Sequence, residues 1–118
     1  MKDSSLFIDH VIENIEDIEI FIKNIDEDDF LTNKEKQNAV TRSLEIIGEA
    51  VKNIPEKIRI KYPKVPWKGV AGIRDKITHH YFGIDLKLIW KVVKEYILPL
   101  KKQMLQIKKE FNEAKEVA

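Results

Sequence analysis

Residues 86–111 read LKLIWKVVKEYILPLKKQMLQIKKEF, and the spacing of their apolar side chains decides the fold class. Leu86, Trp90, Val93, Ile97, Leu100, Met104, Ile107 and Phe111 recur at alternating steps of four and three. That period places them on one face of an α-helix, whereas a half-buried strand would alternate every second residue. One position after the recurring apolar residue stand Lys87, Lys94, Lys101 and Lys108, with Lys91 close by. Lysine stems cover apolar surface while their ammonium groups stay in water, so a solvated flank is the plain reading of this stripe. A basic edge that tracks a polyanion is the sharper one. Pro99 falls inside the pattern; it removes one backbone donor and predicts a kink.

The same period runs through the rest of the chain. Ile8, Val11, Ile15, Ile18, Ile22 and Ile25 predict a first helix from Ser4 or Ser5 to Ile25, widened by Phe7, Ile12 and Phe21 and acidic on its other side. The run DEDDFLTN, residues 26–33, breaks that pattern, and Thr32 or Asn33 suits the cap of a second helix from about Lys34 to Asn53. Val40, Leu44, Ile47, Val51 and Ile54 form its stripe. Gly48 sits within it, where glycine costs about 1 kcal/mol relative to alanine, and close approach of a neighbouring helix is the expected return. Pro55 fits the first turn of a short helix, PEKIRIKY. PKVPW is a rigid connector leading into a helix from about Trp67 to His80, with Gly83 ending it in a left-handed turn and Asp85 capping the next. No strand pattern appears. The expectation is one all-α domain over residues 1–118, a compact bundle of four main helices plus a short one.

At 118 residues, 43% hydrophobic and 35% charged, the composition is that of a globular domain. There is no cysteine, which excludes disulfides, thiolate metal sites and a thiol nucleophile. The N-terminal stretch lacks an uninterrupted apolar run and nothing later is long enough to span a bilayer, so a cytoplasmic protein with no membrane contact is expected. The net charge of +1 hides an asymmetry: residues 1–59 carry a net −6 and residues 60–118 a net +7. A basic half suits an anionic ligand such as RNA or a nucleotide. On charge alone the plainer reading is preferred, that the two halves attract each other within the bundle.

Glycine-rich phosphate loops, HExxH pairs, EF-hand loops and nucleophile elbows are all missing. His10, His79 and His80 make a poor metal site without cysteine, and no bound metal is expected. Arg42, Glu45 and Glu49 have the spacing of an ion-pair ladder on one helix. What stands out is AGIRDKITHHYFGID, residues 71–85, which gathers Arg74, Asp75, His79 and Tyr81 at one helix end. Cleaving RNA without a metal needs a base for the 2′-hydroxyl, an acid for the leaving oxygen and a cation for the charge growing on phosphorus. Histidine serves for either proton transfer and arginine's planar fork suits phosphate. On an ideal helix His79 lies about 140° around and about 7.5 Å along from Arg74, so the two converge only if the helix ends loosely or a second copy supplies the missing group. A twofold dimer offers two histidines and two arginines to a shared cleft. Each residue also has a plainer reading: His79 favoured by the helix dipole, Arg74 and Asp75 a surface pair, Tyr81 a core aromatic.

RDKITHHY fits R-x4-H-x-Y, and with RSLEIIGEAVKNIP, YPKVPWKGVAGIRD and FGIDLKLIWKVVKEYILPL the chain resembles the HepT-like toxins of the HEPN superfamily from about Asp3 to Lys102. The resemblance implies a HEPN-like helical bundle that dimerises with both motifs in a common cleft. It implies a metal-independent ribonuclease, the toxin of a type VII-like toxin–antitoxin pair, with Arg74 and His79 as the catalytic pair and Asp75 in a supporting polar position. The partner it implies is an MNT-type nucleotidyltransferase antitoxin that uses ATP to place AMP on the motif tyrosine, here Tyr81; the chain itself would need no cofactor. Added phosphate there would bring negative charge and bulk to where RNA phosphate must sit. HEPN folds also serve as non-catalytic nucleotide- or RNA-binding modules, and a docking subunit for a nucleotidyltransferase is a third alternative.

Overall fold

The computed structural model describes residues 2–79 and 85–117, with side chains described over 4–77 and 85–114. The predicted left-handed stop at Gly83 lies outside these residues. Helix α1 spans Lys2–Phe21 and α3 spans Lys34–Lys52, and between them a short α2, Glu27–Leu31, which was not expected, occupies the run that breaks the apolar pattern. Two features of that run explain the difference. The Asp26 side chain accepts from the Asp29 amide at 2.8 Å while Asp29 answers the Asp26 amide at 3.0 Å, a reciprocal cap that satisfies two otherwise orphan donors. Phe30 is fully buried and packs on Trp90 with ring centroids 5.3 Å apart, which anchors the turn from outside its own sequence. Helix α1 stops earlier than its stripe suggests. Asn24 takes a left-handed backbone at φ 63°, a conformation asparagine tolerates better than most residues.

Beyond α3 come α4, Glu56–Lys61, then α5, Trp67–Ala71, and α6, Ile73–His79. The single helix expected from Trp67 to His80 is thus two, separated at Gly72. The last segment is also divided: α7, Leu86–Val92, continues through a wide π turn, Val93–Ile97, into α8, Leu98–Val117. The Leu98 amide donates to the Val93 carbonyl five residues back. Pro99 accounts for this, because it has no amide to donate and its ring would collide with the carbonyl of a regular α turn. The wide turn, just before Pro99, absorbs that conflict. Among the described residues there is no strand, and no helix is long and apolar enough to cross a membrane.

Helix α3 packs against α1 on one side and against α5 and α6 on the other, and α8 packs on α1. The predicted stripes meet in one core: Ile8, Val11, Ile15 and Ile18 of α1, Val40, Leu44 and Ile47 of α3, and Val93, Ile97, Leu100, Met104 and Ile107 of the last segment are all essentially inaccessible. Lys108 reaches Asp9 at 2.9 Å while Lys101 reaches Glu19 at 2.8 Å and Glu16 at 3.4 Å. Rising numbers on α8 meet falling numbers on α1, so the two helices run antiparallel. Two turns of the lysine stripe therefore bind the acidic flank of α1, as the plainer reading of the charge asymmetry requires.

Candidate functional site

The approach to the motif is pinned by side chains that close helix ends. Arg59 donates from Nε to the Ile54 carbonyl at 3.0 Å and from its terminal nitrogen to Val51 and Lys52, each at 2.9 Å, which satisfies the orphan carbonyls at the end of α3. The Trp67 indole N–H donates to the carbonyls of Tyr62, at 2.9 Å, and Arg59, at 3.2 Å. Trp67 and Val70 are buried. These contacts fix the start of α5 against the end of α3, and α6 follows after Gly72.

Gly48 then sets how closely α5 and α6 can approach α3. A Cβ built on Gly48 would stand 3.2 Å from the Arg74 amide nitrogen and 3.3 Å from the Arg74 Cβ and the Val70 carbonyl. The close approach expected of this glycine is present, and it falls on the motif arginine itself. The next residue, Glu49, accepts from the Arg74 guanidinium at 3.0 Å. Both side chains are about half exposed, 48% for Arg74 and 50% for Glu49, so water screens the pair and it contributes no more than about 1 kcal/mol to stability. The glycine beside it costs about as much in helix propensity. On those magnitudes the arrangement stabilises little, and its consequence is positional.

Arg74 and Glu49 face a groove of about 350 Å³ between α1, α3 and α6, lined also by Phe7, His10, Arg42 and Glu45. Arg42 approaches Glu45 at 3.9 Å, but Glu49 is turned across to α6. The ladder expected along α3 is therefore only half present, and its last member pairs with the motif arginine instead. The sequence marks His10 only as a poor metal ligand; its place in the groove that Arg74 also lines depends on how α1 crosses α3, which no local pattern records. Asp75 is exposed in the first turn of α6, where a carboxylate suits the positive end of the helix. His79 is the last residue of α6, and its side chain lies outside the described set. His80 and Tyr81 lie outside the described residues altogether. Among the described residues no group of three or more His, Asp or Glu side chains could hold a metal ion. A larger hollow of about 480 Å³ lies between Tyr62, Val65 and Ile107, and it contains no motif residue.

The geometry presents one half-exposed arginine, held at its backbone by the close approach of Gly48 and at its tip by Glu49, with a planar fork suited to an anion. A family model described as "Ribonuclease HepT-like" matches residues 11–107. A Methanocaldococcus jannaschii protein named "Gamma-glutamylcyclotransferase and putative RNase MJ0434" is 47% identical over 97% of this chain and 51% of its own length. This chain thus spans about half of that relative. A second protein of the same organism, "Putative RNase MJ0127", is 53% identical over 78% of this chain and 76% of its own. "Probable ribonuclease HepT" of Thermococcus cleftensis is 46% identical over 87% of this chain and 94% of its own. No solved structure matches the chain significantly.

Proposed function

Because this chain belongs to the HepT-like ribonuclease family, we propose that it is a metal-independent endoribonuclease toxin whose cleavage site combines the motifs of two copies. The observation that carries this reading is the braced and exposed Arg74 on the same short helix as His79. The ribonuclease names of its relatives point the same way.

In the proposed reaction a neutral histidine takes the proton of the 2′-hydroxyl, and the 2′-oxygen attacks the adjacent phosphorus. The bond from phosphorus to the 5′-oxygen breaks, and an imidazolium gives that oxygen its proton. A 2′,3′-cyclic phosphate and a 5′-hydroxyl result. Arg74 stabilises the negative charge that grows on the non-bridging oxygens in between. His79 from each copy supplies the two proton-transfer groups, since one motif offers one such histidine and the reaction uses a base and an acid. Asp75 has a supporting role at the start of α6. A nucleotidyltransferase of the MNT type, using ATP, would silence the site by placing AMP on Tyr81, which adds a phosphate where substrate phosphate must lie.

The test is RNA cleavage by purified wild type and His79→Ala in buffer containing EDTA, followed by intact mass after incubation with the nucleotidyltransferase and ATP. Wild type should cut and His79→Ala should not, while its thermal unfolding stays unchanged. A mass gain in AMP units mapped to Tyr81 should accompany loss of cutting. Full cleavage by His79→Ala would remove the catalytic assignment. Intact RNA with wild type, together with retained RNA binding, would make the protein a binding module instead.

A further inference from the structure

Glu49 does not belong to the motif, yet it touches the residue on which the motif depends. We propose that the Glu49 carboxylate is a positioning group for the Arg74 guanidinium during RNA cleavage. The inference rests on the reading of Arg74 as the cation of the cleavage site.

Glu49 and Arg74 are 25 residues apart in sequence and on different helices, and their atoms meet at 3.0 Å. The backbone of Arg74 is set by its contact with Gly48 and the tip of its side chain by Glu49, so two neighbouring residues of α3 fix both ends of one long side chain. Arginine loses much rotamer freedom when it is held, and a guanidinium held in advance spares the transition state that loss. Glu49 meets one terminal nitrogen, and a guanidinium carries five donors in all, so it can hold a carboxylate and a phosphate together.

A carboxylate beside a phosphate site also repels the substrate, and this gives the role a distinctive signature. Glu49 should raise the rate of the chemical step while doing nothing for RNA affinity, or even weakening it. Glu49→Ala is therefore expected to lower kcat by about 10-fold to 100-fold, with KM unchanged or reduced. Glu49→Gln keeps an acceptor oxygen at the same reach and should recover part of the rate. A residue that merely held the fold would not split kcat from KM in this way.

The experiment is a steady-state cleavage assay on wild type, Glu49→Ala, Glu49→Gln, Arg74→Ala and the Arg74→Ala/Glu49→Ala double variant, with thermal unfolding of each. If Glu49 acts through Arg74, the double variant is no slower than Arg74→Ala alone. Cleavage retained by Arg74→Ala would overturn the assignment of Arg74 itself. Cleavage lost in Arg74→Ala but kept within twofold of wild type in Glu49→Ala would overturn the positioning role alone. A rise in kcat for Glu49→Ala would also overturn it, since the carboxylate would then be a competitor of the phosphate. Should Glu49→Ala not fold, Glu49→Asp decides. It keeps the charge but is one methylene too short, and wild-type kcat in that variant would refute the proposal.

Discussion

Tyr62 shows how a single side chain acquires properties that its neighbours in sequence do not suggest. Its hydroxyl donates to the Glu110 carboxylate on α8, 48 residues away, and tethers the connector after α4 to the last helix. Burial first, then the hydrogen bond and the charge of Glu110, push its pKa from 10.0 up to about 12. A phenol whose pKa is higher folded than unfolded contributes stability that is whole below pH 10 and is lost as pH rises from about 10 to 12. Tyr62→Phe should accordingly be less stable than wild type at pH 8, with the gap narrowing by pH 11.5. Urea unfolding at both pH values measures it, and an equal gap at each would contradict the argument. Arg74 was legible as a candidate because RDKITHHY is a local pattern. Glu49 reads from the sequence as part of a ladder with Arg42 and Glu45, because pairings three or four residues apart are the ones a helix shows by itself.

Among elements, the contact of α3 with α5 and α6 separates two glycines of similar sequence context. Gly48 and Gly69 both lie inside helices, but a Cβ on Gly69 meets nothing within 4 Å whereas one on Gly48 meets backbone at 3.2 Å. Gly69→Ala should therefore gain about 0.5–1 kcal/mol from reduced unfolded-state freedom and better helix propensity. Gly48→Ala should gain nothing, because its methyl presses on backbone that gives way poorly. Gly48→Val should lose about 1–3 kcal/mol through overpacking. Denaturant midpoints of the three variants test this, and an equal gain for both alanines would show that the approach at Gly48 is not restrictive. The apolar periods found the long helices and Pro55 marked the short α4, but neither signalled α2 or the division of the helix expected from Trp67 to His80. Helix α2 is held by a cap and by Phe30 against Trp90, a ring that follows it by 60 positions.

At the scale of the whole molecule the charge asymmetry resolves into two uses. Lys101 and Lys108 bind the acidic flank of α1, and both ammonium groups titrate higher than usual because they donate to carboxylates there. Lys87, Lys91 and Lys94 remain exposed, with Lys94 lying over the Trp90 ring at 5.1 Å. The composite-site proposal also belongs to this scale. His79→Ala chains, mixed in excess with wild type under conditions that allow subunit exchange, should suppress cleavage beyond simple dilution, because a mixed dimer keeps only one of the two histidines the reaction uses. Cleavage that falls only in proportion to the wild-type share, in a mixture shown by native mass spectrometry to contain mixed dimers, would mean that each copy works alone.

The sequence by itself determined the helical class, the faces that form the core, the cap at Asp85 and the helix that carries Arg74 and His79, because each depends on residues within one or two turns of one another. Only the tertiary structure decided that Gly48 and Glu49 grip Arg74, that His10 shares its groove, and that half of the lysine stripe is committed to α1. Those facts follow from how α1, α3, α6 and α8 cross. Crossing geometry is set by the summed packing of many side chains and is recorded in no local pattern.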